Sequence, residues 1–209
     1  MRPSARPLAC LVALVVTGTL AAPAHAATPA PVSQAQAKRA LLAAEDMPKG
    51  WKHNAHAVAG GLKCLSGTAK NVGIATEVGA NWRYASEPLY YSEDLQSYHT
   101  AAQAKANFTA NNRSVAACGT YVEGGVTWKL TPVRISRRGD AAVEFRVAGV
   151  VTSDKGDVPV TTYLTVVLVG RHQVYSLMSA GIDDGREFRA TVLDATDAAL
   201  DKVEALLPR

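Results

Sequence analysis

The sequence predicts an α+β domain: an antiparallel β-meander flanked by helices, a C-terminal helix packed on the sheet, and one disulfide. Three observations carry this. Residues 122–180 hold β-rich apolar segments separated by short turn signals, which join neighbouring strands as hairpins. From Phe188 to Leu207 the apolar residues recur at helical spacing instead. Two Ala-rich stretches, each opened by a capping box, precede the strands. Helices, a meander and a covering helix add up to α+β layering.

The N-terminus reads as an export signal. Arg2 and Arg6 precede an uncharged apolar run from Leu8 to Leu20, and Ala24-His25-Ala26 offers a small-x-small cleavage site. The run is shorter than the roughly 20 apolar residues a membrane span needs. An uncleaved anchor is the alternative, and the flanks are wrong for it. Cys10 lies near the start of the run, where lipid attachment would need a Cys just after it. The expectation is therefore a signal peptide over residues 1–26, a short Pro-bearing leader over 27–32, and one secreted, monomeric domain over 33–209.

Ser33 with Gln36 opens the first helix, with helix formers from Ala35 to Ala44 and a stop before Pro48. Between Trp51 and Gly79, glycines and small polar residues predict strand fragments joined by loops. Asn81 to Tyr98 reads as strand, divided at Pro88. Thr100 with Gln103 opens a second helix, which carries Phe108 and ends near Cys118-Gly119. Strands are then expected over Val122–Leu130, Val133–Ser136, Ala142–Val150, Val158–Val169 and Gln173–Ala180. The fourth of these is apolar on both faces towards its end and so belongs in the centre of the sheet. Asp184 with Glu187 opens the last helix, expected from about Glu187 to Leu206.

Charge and cysteine content narrow the function. Cleavage removes Arg2 and Arg6, so the formal net charge falls from +4 to +2, and no Lys/Arg stripe appears. Nucleic acid is thereby an unsuitable partner. Cleavage also removes Cys10 and leaves Cys64 and Cys118, an even pair that an oxidising compartment joins as a disulfide. Two buried free thiols are the alternative. Such a bridge would stabilise the fold by up to about 4 kcal/mol in the chain-entropy model.

Catalytic grammar is missing. There is no Gly-x-Ser-x-Gly elbow, no Ser-x-x-Lys pair, no P-loop and no Gly-x-Gly-x-x-Gly. His53 and His56 have a spacing that could share a metal on a helical turn, but they stand in a Gly-rich stretch without a third ligand, so neither metal nor cofactor is expected. Asp183-Asp184 is read as a helix cap. Asn107 and Asn112 begin glycosylation patterns but fall inside the second helix. The ambiguous group is aromatic: the three tryptophans with Tyr84, Tyr90, Tyr98 and Tyr121 either fill the core or line a ligand cleft, and Trp82, Tyr84, Tyr90 and Trp128 are the ones expected to line a cleft between the sheet and the N-terminal helical part.

Taken together, Leu41-Leu-Ala-Ala-Glu-Asp-Met-Pro-Lys-Gly-Trp51, a Cys soon after, the Ala-rich helix before a second Cys, Arg134-Ile-Ser followed by Gly139-Asp140, and Tyr163 to Gly170 before Val174-Tyr175-Ser-Leu make a pattern. It resembles actinobacterial exported sensor domains, similar to the extracellular domain of mycobacterial membrane serine/threonine kinases of the PknH type. The match runs over about residues 38–207. It implies an antiparallel sheet flanked by helices, a cleft for a ligand and no catalytic role. The chain departs from the pattern in having neither a kinase nor a membrane span, and a single mature cysteine pair. The expected function is a secreted, non-catalytic domain binding an extracellular or cell-envelope ligand. A cell-envelope enzyme with an unrecognised site and a structural partner-binding protein are its rivals.

Overall fold

Ser33 and Thr100 do what their capping boxes predict. Each hydroxyl accepts the N–H of the Gln three residues on, and each Gln side chain accepts the cap residue's own N–H. The computed structural model describes residues 30–55, 72–85, 88–181 and 186–209. Helix α1 spans Gln34–Arg39, α2 spans Ala101–Cys118 and α3 spans Arg186–Leu206. The strands are β1 Trp51–His53, β2 Ile74–Tyr84, β3 Leu89–Tyr98, β4 Thr120–Glu123, β5 Val126–Val133, β6 Ala141–Ser153, β7 Gly156–Val169 and β8 His172–Ala180. Cys64, His56 and the Asp183-Asp184 cap lie outside the described residues, and so does the predicted Cys64–Cys118 bridge. Cys118 itself closes α2 and packs on the sheet.

The eight strands among the described residues form one antiparallel sheet in the order β1-β2-β3-β8-β7-β6-β5-β4. The expected meander is β4 to β8, and its long doubly apolar strand, β7, lies between β6 and β8. After β3 the chain crosses by α2 to the far edge, and the meander returns to pair β8 with β3. Three layers result. Helices α1 and α3 cover one face, where Val192, Ala199, Leu200 and Val203 meet Val167, Val174 and Met178. Helix α2 lies on the other, with Ala104, Phe108 and Val115 against Leu130, Phe145, Val166 and Leu168.

Three predicted elements differ. Val122–Leu130 is not one strand, because the chain reverses at Gly124-Gly125, both at positive φ, and folds into the β4–β5 hairpin. Helix α1 stops at Arg39 rather than running to Ala44, because the Leu42 N–H is taken at 2.9 Å by the Glu93 carboxylate, 51 residues away. Val133–Ser136 is not a strand: β5 runs on through Pro132 and ends at Val133. Pro132 is tolerated because β4 has only four residues, so β5 has no neighbour on that side by the time it reaches the proline.

Candidate functional site: the half-covered face of the sheet

Strand alternation and register sort every sheet residue onto a face. On the doubly covered face, Val78, Ala80 and Trp82 of β2 stand beside Tyr91, Glu93 and Leu95 of β3. Trp82 is 3% exposed, directly opposite Tyr91, with the His53 ring edge-on at 5.4 Å. Trp51 closes the group, 5.7 Å from Tyr84 and 6.4 Å from Tyr91. These rings fill space at one end of the core.

A row of polar residues crosses this same face: Glu93, Ser176, Thr165 and Glu144 are successive register partners, all buried. Arg189 of α3 grips Glu144 through Nε at 3.0 and 3.1 Å from the two carboxylate oxygens, and lies over the Tyr163 ring. Tyr91 Oη and Ser176 Oγ are 3.2 Å apart. Burial pushes the Glu93 carboxyl up to about 7, against the Leu42 N–H and Lys202, which favour its charge.

Among the described residues, the other face is only half covered. Helix α2 packs over β3, β8, β7 and β5. Beneath it lie hydrogen-bonded side chains. Tyr98 Oη donates to Gln96 Oε1, and Gln96 Nε2 donates to Glu77. Tyr175 Oη donates to Gln173 Oε1, whose Nε2 donates to the Ala104 carbonyl of α2. Farther along the strands this face opens. There the floor consists of Asn81, Arg83, Tyr90, Ser92, Asp94, Leu177, Ser179 and Thr162, none of them fully buried. Ser92 donates to Asn81 at 2.7 Å, and Thr162 and Ser179 share a hydrogen bond of 2.7 Å. Asp94 lies over Gly79, where a side chain would collide with its carboxyl. Although the residue is exposed, desolvation of the carboxyl where it lies close over the Gly79 backbone, then the nearby Glu77, raises it above the usual range.

The four aromatic residues expected to line one cleft are thus not brought together. Trp82 and Tyr84 share the doubly covered face. Tyr90 is on the opposite face beside Arg83, 37% exposed. Trp128 is on β5, near the far edge, lying against Gly149, where a Cβ would come within 2.7 Å of its ring, and donating through Nε1 to the Glu123 carbonyl. Trp82, Tyr84 and Tyr90 have even numbers, but Trp82 pairs with Tyr91, so parity inverts across the hairpin.

One nucleophile–base contact was not foreseen. Ser97 Oγ lies 2.8 Å from His172 Nδ1, and His172 Nε2 lies 2.9 Å from the Pro208 carbonyl. Both residues are fully buried and both ring nitrogens are engaged, so the pair fastens the chain's last residues to the sheet. Burial lowers the His172 pKa, which keeps the ring neutral. Asn107 and Asn112 are buried in α2, and Asn107 donates to the Val72 and Gln103 carbonyls, so its glycosylation pattern has no free acceptor. Among the described residues no group of three or more His, Cys, Asp or Glu could hold a metal ion, and no helix is long and apolar enough to cross a membrane.

No family model matches the chain, and no curated protein matches it. Among solved structures it is similar to the extracellular domain of PknH from Mycobacterium tuberculosis, with a TM-score of 0.55 at 11% identity, covering 85% of this chain and 97% of that one. It also matches LpqN of Mycobacterium tuberculosis, described as involved in cell envelope biogenesis, at a TM-score of 0.28 and 8% identity, over 74% of this chain and 78% of that one, too low to carry an argument. The resemblance to the PknH type expected from the sequence is present in the fold.

Proposed function

We propose that the chain is an exported, non-catalytic, sensor-like domain that binds a neutral polyhydroxylated ligand, such as a cell-envelope saccharide, on the half-covered face of its sheet. The observation that carries this is the floor beyond α2. It joins the hydroxyls of Ser92, Thr162 and Ser179 and the Asn81 amide to the half-buried Leu177 and one exposed aromatic ring, Tyr90, with Arg83 and Asp94 as its charged groups and Glu77 beside it on β2. Such a surface matches a ligand that presents hydroxyl groups and C–H faces and carries no strong charge. The non-catalytic reading is supported by the Ser97–His172 pair, which is buried and fully engaged. The fold shared with a kinase extracellular domain supports a sensor-like role.

The test is saturation-transfer NMR of the mature domain with soluble envelope oligosaccharides, run on the wild type, Tyr90→Ala and Asp94→Asn. Binding by the wild type should weaken about tenfold or more in both variants, as expected when about 1.4 kcal/mol or more of contact is lost. Their melting temperatures should stay near wild type. Saccharide binding untouched by either change, or no binding at all, would overturn the reading. Export over residues 1–26 and a Cys64–Cys118 disulfide belong to the same proposal. The secreted protein should begin at Ala27 and show no titratable thiol when denatured without reductant.

A further inference from the structure

Glu93 and Asp94 are neighbours in sequence and stand on opposite faces of β3. Asp94 is part of the open floor. Glu93 is wholly buried on the other face, and its Oε2 accepts the Leu42 N–H. Leu42 belongs to the α1–β1 segment, which is pinned to the core by Leu41, Leu42 and Met47 and tied to α3 through the Asp46–Lys202 ion pair. The second oxygen, Oε1, is buried without a partner. A covering segment is therefore fastened to a half-satisfied carboxyl, and the next residue of that strand looks out into the groove.

We propose that Glu93 is a latch on the α1–β1 segment: its buried carboxyl holds the Leu42 N–H while protonated, its ionisation with one oxygen unpartnered loosens the segment, and Asp94 on the opposite face of the strand sets how readily that happens. The latch is a property of the empty protein and does not rest on the groove reading. The titratable groups that act on Glu93 are Tyr91 beside it on its own face, Asp94 behind it on the opposite face of the strand, Asp46 on the α1–β1 segment and Lys202 on α3. Asp94 and Asp46 oppose its ionisation, and Lys202 and the Leu42 N–H favour it. Burial outweighs all of these, so the closed segment holds the proton more tightly than water would. By linkage, losing that proton must favour the open segment, although an ionised carboxylate makes the stronger single bond to Leu42.

The experiment is amide hydrogen exchange by NMR on the mature domain without ligand, with rates corrected for the intrinsic pH dependence. Protection of the Leu42 amide should fall about 10- to 100-fold between pH 5.5 and 8.5. Amides in the middle of β8 should not follow. In Asp94→Asn the midpoint should move about half a pH unit lower, as expected when one neighbouring anion is removed. In Glu93→Gln the dependence should vanish. A Leu42 protection that ignores pH, or an unchanged midpoint in Asp94→Asn, would overturn the latch. Because no ligand is added, either result is independent of whether saccharides bind.

Discussion

Replacing Trp82 with Ala separates a core residue from a cleft residue. Its ring is 3% exposed, opposite Tyr91 and beneath His53, so Ala would empty most of an indole's volume inside the main cluster. Large-to-small changes of this kind cost about 3–5 kcal/mol. For a domain of this size each kcal/mol moves the melting temperature by about 2–4 °C, so a fall of roughly 6–20 °C is expected. A second substitution sharpens the test. Trp82 Nε1 is buried without an acceptor, so Trp82→Phe deletes an unsatisfied donor together with part of the ring. Its cost should be below about 2 kcal/mol, since the lost packing is offset by the donor no longer stranded. Urea denaturation of the wild type, Trp82→Ala, Trp82→Phe and Tyr90→Ala would read this, with equal m values certifying that only stability changed. Tyr90→Ala, at a 37% exposed ring on the open floor, should cost about 1 kcal/mol or less. A Trp82→Ala midpoint within about 1 kcal/mol of wild type would refute the core assignment.

Arg189→Ala should be worse than its exposure suggests. It strands the Glu144 carboxylate, 1% exposed, and breaking such a buried pair costs about 3–5 kcal/mol; the double change Arg189→Met with Glu144→Leu should recover most of the loss in a thermal melt. His172 and Glu93 give opposite pH dependences. The folded state holds His172 below its ordinary value, so the unfolded chain binds its proton first and stability falls as pH drops below about 6.5; His172→Gln should flatten that limb. Glu93 is raised to about 7, so its contribution is fully present below about 4.5 and is lost as pH rises through 7. Glu93→Gln should therefore exceed wild type in stability above pH 7 by up to about 3 kcal/mol, measured by urea titration at several pH values.

How much of this was legible in the sequence depends on the range over which each signal acts. Capping boxes, hairpin turns and the α3 stripe are written within a few residues, and α2, the meander and α3 stand where they were expected. The end of α1 was not legible, because the group that captures the Leu42 amide arrives from β3. Neither was the division of the aromatic residues. Even numbering places Trp82, Tyr84 and Tyr90 together only if the hairpin preserves parity, and pairing Trp82 with Tyr91 inverts it. The buried row from Glu93 through Ser176 and Thr165 to Glu144 takes one residue from each of four strands, so nothing in any one segment announces it.

The two faces differ in what would have to break for them to open. Removing α3 would expose Val192, Ala199, Leu200 and Val203 together with the aliphatic residues beneath them, all of which water solvates poorly. Helix α2 presents Ala104, Asn107, Phe108, Asn112 and Val115 to the sheet, and part of what it meets is glutamine and tyrosine. Two of its five buried positions are amides, and Gln173 holds it through a hydrogen bond that water can replace at small net cost. Displacement of α2 is thus the less costly rearrangement of the fold, and α2 is the wall beside the open floor. A bridge from Cys118 to Cys64 would anchor the end of that same helix, where its last turn carries no basic residue to complement the dipole. A proposed binding face with one apolar-packed side and one more weakly held wall can adapt to a ligand without disturbing the core, and the proposed staple would fall on that wall.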